Sequence, residues 1–550
     1  CCRMAQPTDR EPEGKAPAPL PAWGALGFTL FRLLWLATIV SNIGSWMYSA
    51  ASAWLMTSLN PHPLIVSLVQ AANSLPLFLF ALPAGALADM VDKRRFILVL
   101  EILTTLFSLV FALLVGLHAV TPGVLLLFLL LIGTLGALET PAWQAIVPLL
   151  VPKEALSSAV AVNSLGVNIS RVIGPALAGV VILAFGIAAP FWLDAVSNAG
   201  VIAVLLWWCP PVPAKARRTL PAEHLTSAIR TGVRYASNNR GLRATLVRAA
   251  GFFLFASAYW ALLPVVARTQ LHGSPTLYGV LLGAIGAGAV VGALSMPRLK
   301  ARSGANGMVV LGELGNVLAL LLFGLAQHPL TAVLACLIAG LSWIVVLATL
   351  NVSAQVALPD WVRGRGLAAY VTVFFGTMSL GSALWGFVAD RIGLPPAHYL
   401  AAAGAFVAIW ATRRWKLQTG PAADLTPSMH WPEPVVAGAV EDDAGPVMVT
   451  VEYRVNAENR AAFLHAVHRL GRGRRRGGAY TWGVFEDMAH PGTFLETFLV
   501  DSWLEHLRQH QRVTKTDQAL EDRVSGLTRA APRVTHYLAP ELTAPAPRTE

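Results

Sequence analysis

The sequence predicts an all-α polytopic membrane protein with twelve transmembrane helices in two six-helix halves, followed by a small α+β domain. Three observations lead to this prediction. Hydrophobic residues make up 55% of the chain and charged residues only 13%, far from the composition of a soluble protein. Apolar segments long enough to span a bilayer recur between residues 29 and 416. After residue 447 the pattern changes to short strands and amphipathic helices.

The charge of the chain is explained by membrane topology. The formal net charge is +11 and the isoelectric point about 9.8, values that would suggest a nucleic-acid partner for a soluble protein. Here the basic residues gather in short loops between apolar segments, as expected on the cytoplasmic side of a membrane. No nucleic-acid partner is therefore predicted. The four cysteines are too scattered for a disulfide framework or a metal site, and we expect no cofactor.

The loops between the spans set the predicted orientation. Residues 1–28 are rich in proline and charge, which predicts a disordered tail. An even number of spans places both termini on one side, and the loops on that side hold most of the lysine and arginine, so both termini are predicted to be cytoplasmic. The predicted spans are centred near residues 44, 75, 107, 133, 171, 198, 255, 286, 318, 341, 378 and 404.

The membrane part divides into two halves that resemble each other. The predicted boundaries are 29–209 for the first half, 210–243 for a cytoplasmic loop with an amphipathic stretch, and 244–416 for the second half. A shift of 207 positions lays Gly174 on Gly381 and Gly179 on Gly386. This spacing predicts a parallel internal repeat, with a substrate site near the midplane between the halves.

The C-terminal region reads as a separate soluble module. Residues 417–446 are rich in proline, alanine and acid, which predicts a linker. Residues 447–540 show the order β-α-β-β-α-β of a ferredoxin-like domain, with one helix expected over residues 502–520. Residues 541–550 are predicted to form a second disordered tail.

Polar residues inside the apolar segments are candidate functional groups. Arg171 lies about fourteen residues, or roughly 20 Å, into the fifth predicted helix, near the middle of a bilayer. Ser164 and Asn168 precede it at helical spacing, so the three side chains share one face. Charged side chains at this depth usually face a protein interior or a water-filled cavity. The predicted substrate or proton pathway comprises Asn42, Glu139, Ser164, Asn168, Arg171, Asp194 and Asn198.

Glu139 and Arg171 lie at similar depth on consecutive helices, which predicts a pair that responds to protons or substrate. A static structural ion pair is the alternative. Glu101 and Glu313 occupy corresponding positions in the two halves, in LVLEIL and VLGELG. We interpret them as carboxylates that reach toward the cytoplasmic interface.

The loop after the second span carries a recognisable motif. Its sequence GALADMVDKRR resembles the loop between the second and third helices of the major facilitator superfamily, although Met90 and Asp92 replace an arginine and a glycine of the family pattern. The matching residues are Gly85, Asp89, Lys93, Arg94 and Arg95.

The resemblance implies that Asp89 holds a cytoplasmic gate by meeting a helix terminus and nearby cations. The alternative is that the basic residues of this loop only set topology. A similar phrase, GFVADRIG from Gly386 to Gly393, falls on the opposite side of the predicted membrane, and we interpret it as coincidence.

A second motif narrows the resemblance. GPALAG, with Gly174, Pro175 and Gly179, resembles the fifth-helix packing motif of exporters in the superfamily. Together with PAWQAIVPLLVP, NISRVIGP and LPDWVRGRG, it is similar to the enterobactin-exporter-like, transmembrane secretion effector branch. The resemblance implies the major facilitator fold, alternating access and proton-coupled export of a small molecule from a bacterial cytoplasmic membrane.

Alternatives remain at this point. One alternative is that the chain imports its substrate, since the same fold also serves importers. The C-terminal module resembles the antibiotic biosynthesis monooxygenase-like fold, which implies a possible homodimer through its sheet, or an enzyme acting on the transported molecule. We expect no enzymatic activity, since His506 and His510 lack an HExxH context and are interpreted as surface residues. No Walker A motif occurs, so direct use of ATP is not expected.

Overall fold

The structure, a computed structural model, describes residues 23–208, 225–418 and 424–540 except positions 433, 435, 437, 439 and 442. The predicted disorder at 1–22 and 541–550 and the first part of the 210–243 loop lie outside the described residues. Residues 23–28 were predicted to be disordered, but Gly24–Gly27 form a 3₁₀ turn in which Ala25 is fully buried. The Ala25 amide donates to Ser158 Oγ at 3.1 Å, which fixes this turn on the bundle.

The prediction of a mostly helical membrane protein is confirmed. Among the described residues, eleven helices are long and apolar enough to cross a bilayer. An amphipathic helix, α7, lies between the two halves. The helices of this part are α1 Thr29–Leu59, α2 Pro63–Met90, α3 Lys93–Gly116, α4 Pro122–Ile146, α5 Leu156–Phe185, α6 Ala189–Trp207, α7 Leu225–Asn238, α8 Arg240–Val265, α9 Pro275–Leu325, α10 Pro329–Val356, α11 Arg363–Ile392 and α12 Leu394–Thr412.

Helix starts are encoded locally. Asp92, Thr121, Asn239 and Ser274 each precede a helix, and each side chain accepts a hydrogen bond from a backbone amide of the first turn. These bonds satisfy amides that have no partner within the helix. Proline stands in the first turn of α2, α4, α6, α9, α10 and α12, where its missing N–H costs nothing.

The longest helix, α9, contains a break. Its 51 residues would extend about 77 Å, more than twice the thickness of a bilayer core. Gly304 interrupts the helix with a φ of 61° and a ψ of 179°, a backbone conformation that glycine adopts readily and other residues rarely do. Two predicted spans, centred near residues 286 and 318, fall on the two arms of α9.

Glycines let α9 and α10 cross closely. A Cβ at Gly340 would lie 1.8 Å from the Ile285 carbonyl oxygen, and one at Gly288 would lie 2.0 Å from that of Leu337. No side chain fits at either crossing point. Close backbone approach of this kind drives helix association in membranes.

The predicted repeat is visible in the packing. Gly174 meets Trp46 and Ile43 of α1, and its counterpart Gly381 meets Ser257 and Leu254 of α8.

The next glycine of each half joins one half to the other. Gly179 of α5 packs on Pro275 and Gly279 of α9, and Gly386 of α11 packs on Ser67 of α2. Corresponding glycines therefore make corresponding contacts, within each half and between the halves.

The C-terminal module is a four-stranded antiparallel sheet with helices on one face. The strand order is β2-β3-β1-β4, and Val449 of β1 lies opposite Phe498 of β3 and His536 of β4. The predicted single helix over 502–520 is two helices, because Thr514 and Asp517 form a capping box that starts a new one. The elements are β1 Val447–Arg454, α13 Arg460–Gly477, β2 Thr481–Glu486, β3 Thr493–Val500, α14 Trp503–Arg512, α15 Lys515–Ser525 and β4 Arg533–Leu538.

Part of the predicted linker belongs to the module. The Ser428 amide donates to the Val513 carbonyl at 2.9 Å, and Trp431 Nε1 donates to Glu521 Oε2 at 2.9 Å. At its other end, Leu417 exchanges two hydrogen bonds with Asn306, beside the break in α9. The module is thus tethered to the second half by the few residues between Leu417 and Asp424.

The module docks on α7 and on the turn before α11. Arg234 of α7 donates to the Gly478 carbonyl and pairs with Asp501 at 3.4 Å. The Arg512 guanidinium lies 4.5 Å from the ring centre of Trp361, which itself packs edge-on against Tyr235. The end of the bundle that carries α7 and this module is called the module end below, and the opposite end is called the far end.

Candidate transport site

A cavity of about 530 Å³ lies between the two halves. It is large enough for a drug-sized molecule. Helices α1, α2 and α5 of the first half face α8, α9 and α10 of the second half across it. The residues discussed below that line it are Trp46, Gln70, Asn73, Asn168, Arg171, Trp260, Tyr278 and Trp343.

The cavity is closed at the far end by contacts between the halves. Arg268, in a π-helical turn that ends α8, donates to Thr57 Oγ1 at 3.1 Å and to Ser58 Oγ. Its guanidinium also lies 5.5 Å from the ring centre of Trp54. A second contact between the halves joins His62 Nδ1 and Asp390 Oδ1, which lie 3.3 Å apart. Asp390 belongs to the GFVADRIG phrase, which therefore takes part in a contact that the sequence did not predict.

Toward the module end the cavity is open. Leu165, Val290 and Leu294 line it there and are 40%, 50% and 74% exposed. Val69 and Tyr278, which line its other end, are 2% and 6% exposed. The conformation is therefore open at the module end and closed at the far end.

Arg171 does not pair with Glu139, so the predicted ion pair is wrong. No carboxylate of the described residues lies within ion-pairing distance of Arg171, and no hydrogen bond reaches its guanidinium. Instead the guanidinium lies 5.4 Å from the ring centre of Trp46, on the cavity wall. A cation over an indole face is a favourable contact, but it leaves the donors of arginine unused.

The partner of Glu139 is another carboxyl group, that of Glu101. Glu101 on α3 and Glu139 on α4 lie within hydrogen-bonding reach of each other, and Asp194 of α6 is close enough to act on Glu101 through its charge. Glu101 is only 7% exposed and Glu313 only 5%, so the prediction that these two carboxylates reach the interface is wrong. Two carboxyl groups form a hydrogen bond only when at least one carries a proton, because ionised carboxylates only accept.

Asp194 and Asn198 lie inside the first half rather than on the cavity wall. Asp194 accepts from Ser45 at 3.2 Å and from Ser108 at 2.8 Å, which ties α6 to α1 and α3. Asn198 accepts from Ser41 at 2.7 Å. Both side chains are 2% exposed or less.

The remaining predicted pathway residues are spread along the first half. Asn168 lines the cavity and donates to the Ser164 carbonyl at 2.8 Å, while Ser164 itself is exposed. Asn42 is half-buried in α1 and does not line the cavity. Pro175, of the packing motif, is buried in α5 and borders the cavity.

The structure shows the basic part of the gate motif. Arg94 donates to the carbonyls of Leu205 at 2.7 Å and Leu206 at 3.0 Å, and so caps the end of α6. Lys93 begins α3, and the Arg95 amide donates to Asp92 at 2.8 Å. Gly85 has open space around it. The Asp89 side chain lies outside the described residues, so its gating role stays a prediction.

The sequence matches the transmembrane secretion effector family, a branch of the major facilitator superfamily, over residues 20–543. This chain belongs to that family. The resemblance noted in the sequence is thereby confirmed for the family, whose members are transporters.

Similar proteins of known role are bacterial transporters. The chain is 27% identical over 361 residues to the Staphyloferrin A transporter of Staphylococcus aureus, covering 64% of this chain and 87% of that protein. It is 27% identical to the multidrug efflux pump Tap of Mycolicibacterium fortuitum, over 66% and 90% of the two chains. It is 26% identical to the enterobactin exporter EntS of Shigella boydii, over 65% and 84%.

Solved structures share the fold of this chain. The nucleoside transporter NupG superposes with a TM-score of 0.54 at 13% identity, over 70% of this chain and 98% of that one. A bacterial homologue of the iron transporter ferroportin superposes with a TM-score of 0.53 at 16% identity, over 70% and 98%.

Some residues of the site carry no signal in the sequence. Trp46, Trp260 and Trp343 line the cavity, but aromatic residues are frequent throughout apolar helices. In the sequence, Arg268 is one basic residue close to the end of an apolar segment. Its contacts depend on the approach of α8 to α1, which no local pattern encodes.

The module of this family member contains a buried polar network. Glu496, fully buried, accepts from Tyr453 at 2.7 Å and from Trp482 at 2.8 Å. Arg474 bridges it to Glu521, with Nη1 2.6 Å from Glu521 Oε1. Burial opposes the charge of Arg474, but Glu521 and Glu496 outweigh burial and hold its pKa above the usual value.

The interpretation of the helical histidines as surface residues is wrong for His506, which is 1% exposed. Its Nε2 lies 3.3 Å from that of His510, and its ring lies 4.7 Å from that of His536. Burial and these two neighbours lower the pKa of His506 to about 3. In the described part of the chain no three His, Cys, Asp or Glu side chains form a group suited to a metal ion.

Proposed function

We propose that this chain is a secondary active exporter of small organic molecules that works by alternating access. The observation that carries the proposal is one cavity between two repeat-related halves, open at the module end and closed at the far end. Rocking of the halves about this cavity exposes it to one side and then to the other. Among the relatives named above, one is an enterobactin exporter and another a multidrug efflux pump, which supports export over import.

Twelve membrane crossings follow if α9 turns back at Gly304. Each arm of α9 is long enough to span a bilayer, and the break lies beside the tether of the module. Both termini then lie on the same side. The basic loops of that side support a cytoplasmic location for both termini, and thus a multi-pass chain in the cytoplasmic membrane of a bacterium.

Protons are the proposed coupling ion. The hydrogen-bonded carboxyl groups of Glu101 and Glu139 can hold or release a proton inside the first half. Among the described residues, the charged groups that act on Glu101 are the carboxyl groups of Glu139 and Asp194, so protonation there changes the local charge without a counter-cation. Inward proton flow through such a group supplies the free energy for outward movement of substrate.

Direction and coupling are tested together in membrane vesicles. Inside-out vesicles carrying the protein should accumulate substrate when their lumen is acidic, and accumulation should stop when a protonophore dissipates the gradient. A panel of siderophores, dyes and antibiotics serves as substrates, and vesicles from cells without the gene are the control. Uptake confined to right-side-out vesicles would establish import instead.

The module is proposed to be a ferredoxin-like domain that self-associates. Its β-α-β-β-α-β order and strand order β2-β3-β1-β4 support that fold. The sheet face opposite the helices carries Phe485, Leu495 and Tyr537, which are 61%, 39% and 50% exposed. An open apolar sheet face of this kind suits a second copy of the module. We assign no enzymatic role to it.

Docking of the module depends on Arg234, whose side chain is 14% exposed. Arg234→Ala should raise the hydrogen exchange rate of the amides from Gly478 to Tyr480 by about 5- to 10-fold, since the hydrogen bond to Gly478 is lost. Mass spectrometry of the full-length protein in detergent measures this. Arg230→Ala is the matched control, because Arg230 is 69% exposed and lies 3.9 Å from the same Asp501. Equal effects of the two variants would contradict the docking described here.

A further inference from the structure

Among the described residues, the cavity wall carries one full charge and no opposite charge. Of the described residues that line it, Arg171 alone carries a full charge at neutral pH. The carboxyl groups of Glu101, Glu139 and Asp194 do not line it. A guanidinium partly removed from water is stabilised when an anion meets it, whereas the contact that the described residues provide to Arg171 is the neutral Trp46 ring.

Unused donors point to the same conclusion. Arg171 Nε is buried, and no acceptor among the described residues bonds to it. A guanidinium only donates. Buried donors without partners are costly, so a ligand with acceptor oxygens forms hydrogen bonds that the described residues do not supply to Arg171. Because the lining residues come from both halves, a ligand that fills the cavity contacts both halves at once.

The rest of the wall is aromatic. Trp46 and Trp343 and the Tyr278 ring bring large flat surfaces to the cavity, and Trp260 packs edge-on against Trp343 with ring centres 5.4 Å apart. These surfaces match planar rings in a ligand. Gln70 and Asn73 of α2 add neutral polar groups that hydrogen-bond without demanding a charge.

We propose that the substrates are organic anions that carry aromatic rings, with the anionic group on Arg171 and the rings against the tryptophans. This inference rests on the cavity being the substrate site, as proposed above, and it names the chemical class. A cationic aromatic molecule of the same size would meet Arg171 with no carboxylate nearby, and like charges in a poorly solvated site repel. The pocket therefore selects by charge as well as by shape.

Three probes with one ring system test the charge preference directly. Equilibrium dialysis of the purified full-length protein in detergent measures binding of 2-naphthoate, 2-naphthamide and 2-naphthylmethylammonium. The expected order of affinity is naphthoate, then naphthamide, then the ammonium compound. An ammonium compound that binds as tightly as naphthoate, or more tightly, would overturn the proposal.

Variants of Arg171 then test whether this residue causes the preference for the anionic probe. Arg171→Gln should weaken naphthoate binding by about 10- to 100-fold and change naphthamide binding by less than about 3-fold, since only the charged hydrogen bond is lost. Arg171→Lys keeps the charge and should retain most of the preference. Arg243→Gln is the matched control, because Arg243 also lies over a tryptophan, 4.7 Å from the ring centre of Trp415, but outside the cavity. An unchanged naphthoate preference in folded Arg171→Gln would refute the role of Arg171.

Thermal stability and size-exclusion profiles establish that each variant is folded. Should Arg171→Gln fail to fold, the preference of the wild type and of Arg171→Lys still decides the proposal. The binding assay needs no transport. If the protein prefers naphthoate but exports none of the tested compounds, the substrate class stands and the proposed export function is refuted. If it exports compounds but prefers the cationic probe, the export function stands and the substrate class is refuted.

Discussion

Glu139→Gln is expected to abolish the dependence of export on the pH gradient while substrate binding persists. The carboxyl groups of Glu101 and Glu139 share a hydrogen bond, and a glutamine keeps the size and a donor but cannot release a proton. A carrier without a titrating pair loses its coupling, so accumulation against a gradient should fall to the level of passive exchange. The measurement compares lumen-acidic uptake with exchange of labelled for unlabelled substrate, in the same inside-out vesicles.

Glu313→Gln is the matched control for this prediction. Glu313 occupies the corresponding place to Glu101 in the other half and is equally buried, but Arg248, rather than a second carboxyl group, is the charge near it. This variant should keep its pH-driven uptake. Full proton-driven accumulation in Glu139→Gln would exclude Glu139 as the coupling residue, and Asp194 would be examined next.

The sequence predicted the membrane part well because its signals are local. Hydropathy located the apolar segments that form the long helices of the structure. The internal repeat was also visible in the sequence, because Gly179 and Gly386 stand 207 positions apart. In the structure these two glycines make corresponding contacts between the halves. Positions where two backbones touch admit only glycine, and such a constraint is visible in a sequence.

The partners of the charged side chains were not predictable in the same way. Arg171 and Glu139 lie at similar depth on consecutive helices, but depth fixes only one of three coordinates. The rotation of α4 directs Glu139 toward Glu101, and the rotation of α5 directs Arg171 to the cavity. Helix rotation is set by packing over the whole bundle, and apolar residues surround these helices on nearly every side.

The module shows the same division. Strands and helices followed from alternating patterns, yet the contribution of Trp431 to the module was missed because its segment is rich in proline and acid. The fit between Trp431, Arg474 and Glu521 joins parts of the chain that are far apart in sequence. The burial of His506 has the same origin, since β4 and α14 meet only in the folded module.

Gly386→Leu should hold the carrier open at the far end. A Cβ at Gly386 would lie 2.6 Å from the Ser67 Cβ and 3.2 Å from the Leu64 Cα, so a side chain there forces α11 away from α2. Overpacking typically costs about 1 to 3 kcal/mol, and here the cost falls only on the conformation in which the two halves touch at this point. The equilibrium should therefore shift toward far-end opening by about 5- to 150-fold, and export should fall because the closed state is no longer reached.

Thiol labelling measures this shift. Ser49 lines the cavity, and Ser49→Cys in a background without other cysteines should resist a membrane-impermeant maleimide applied from the far side. The same cysteine should react quickly when Gly386→Leu is added. Gly340→Leu is the control, because its Cβ would lie 1.8 Å from the Ile285 carbonyl oxygen within one half. That clash destabilises every conformation to the same extent, so it should lower the amount of folded protein without increasing labelling. Equal labelling of the parent and the Gly386→Leu variant would show that the α2–α11 contact does not hold the far end closed.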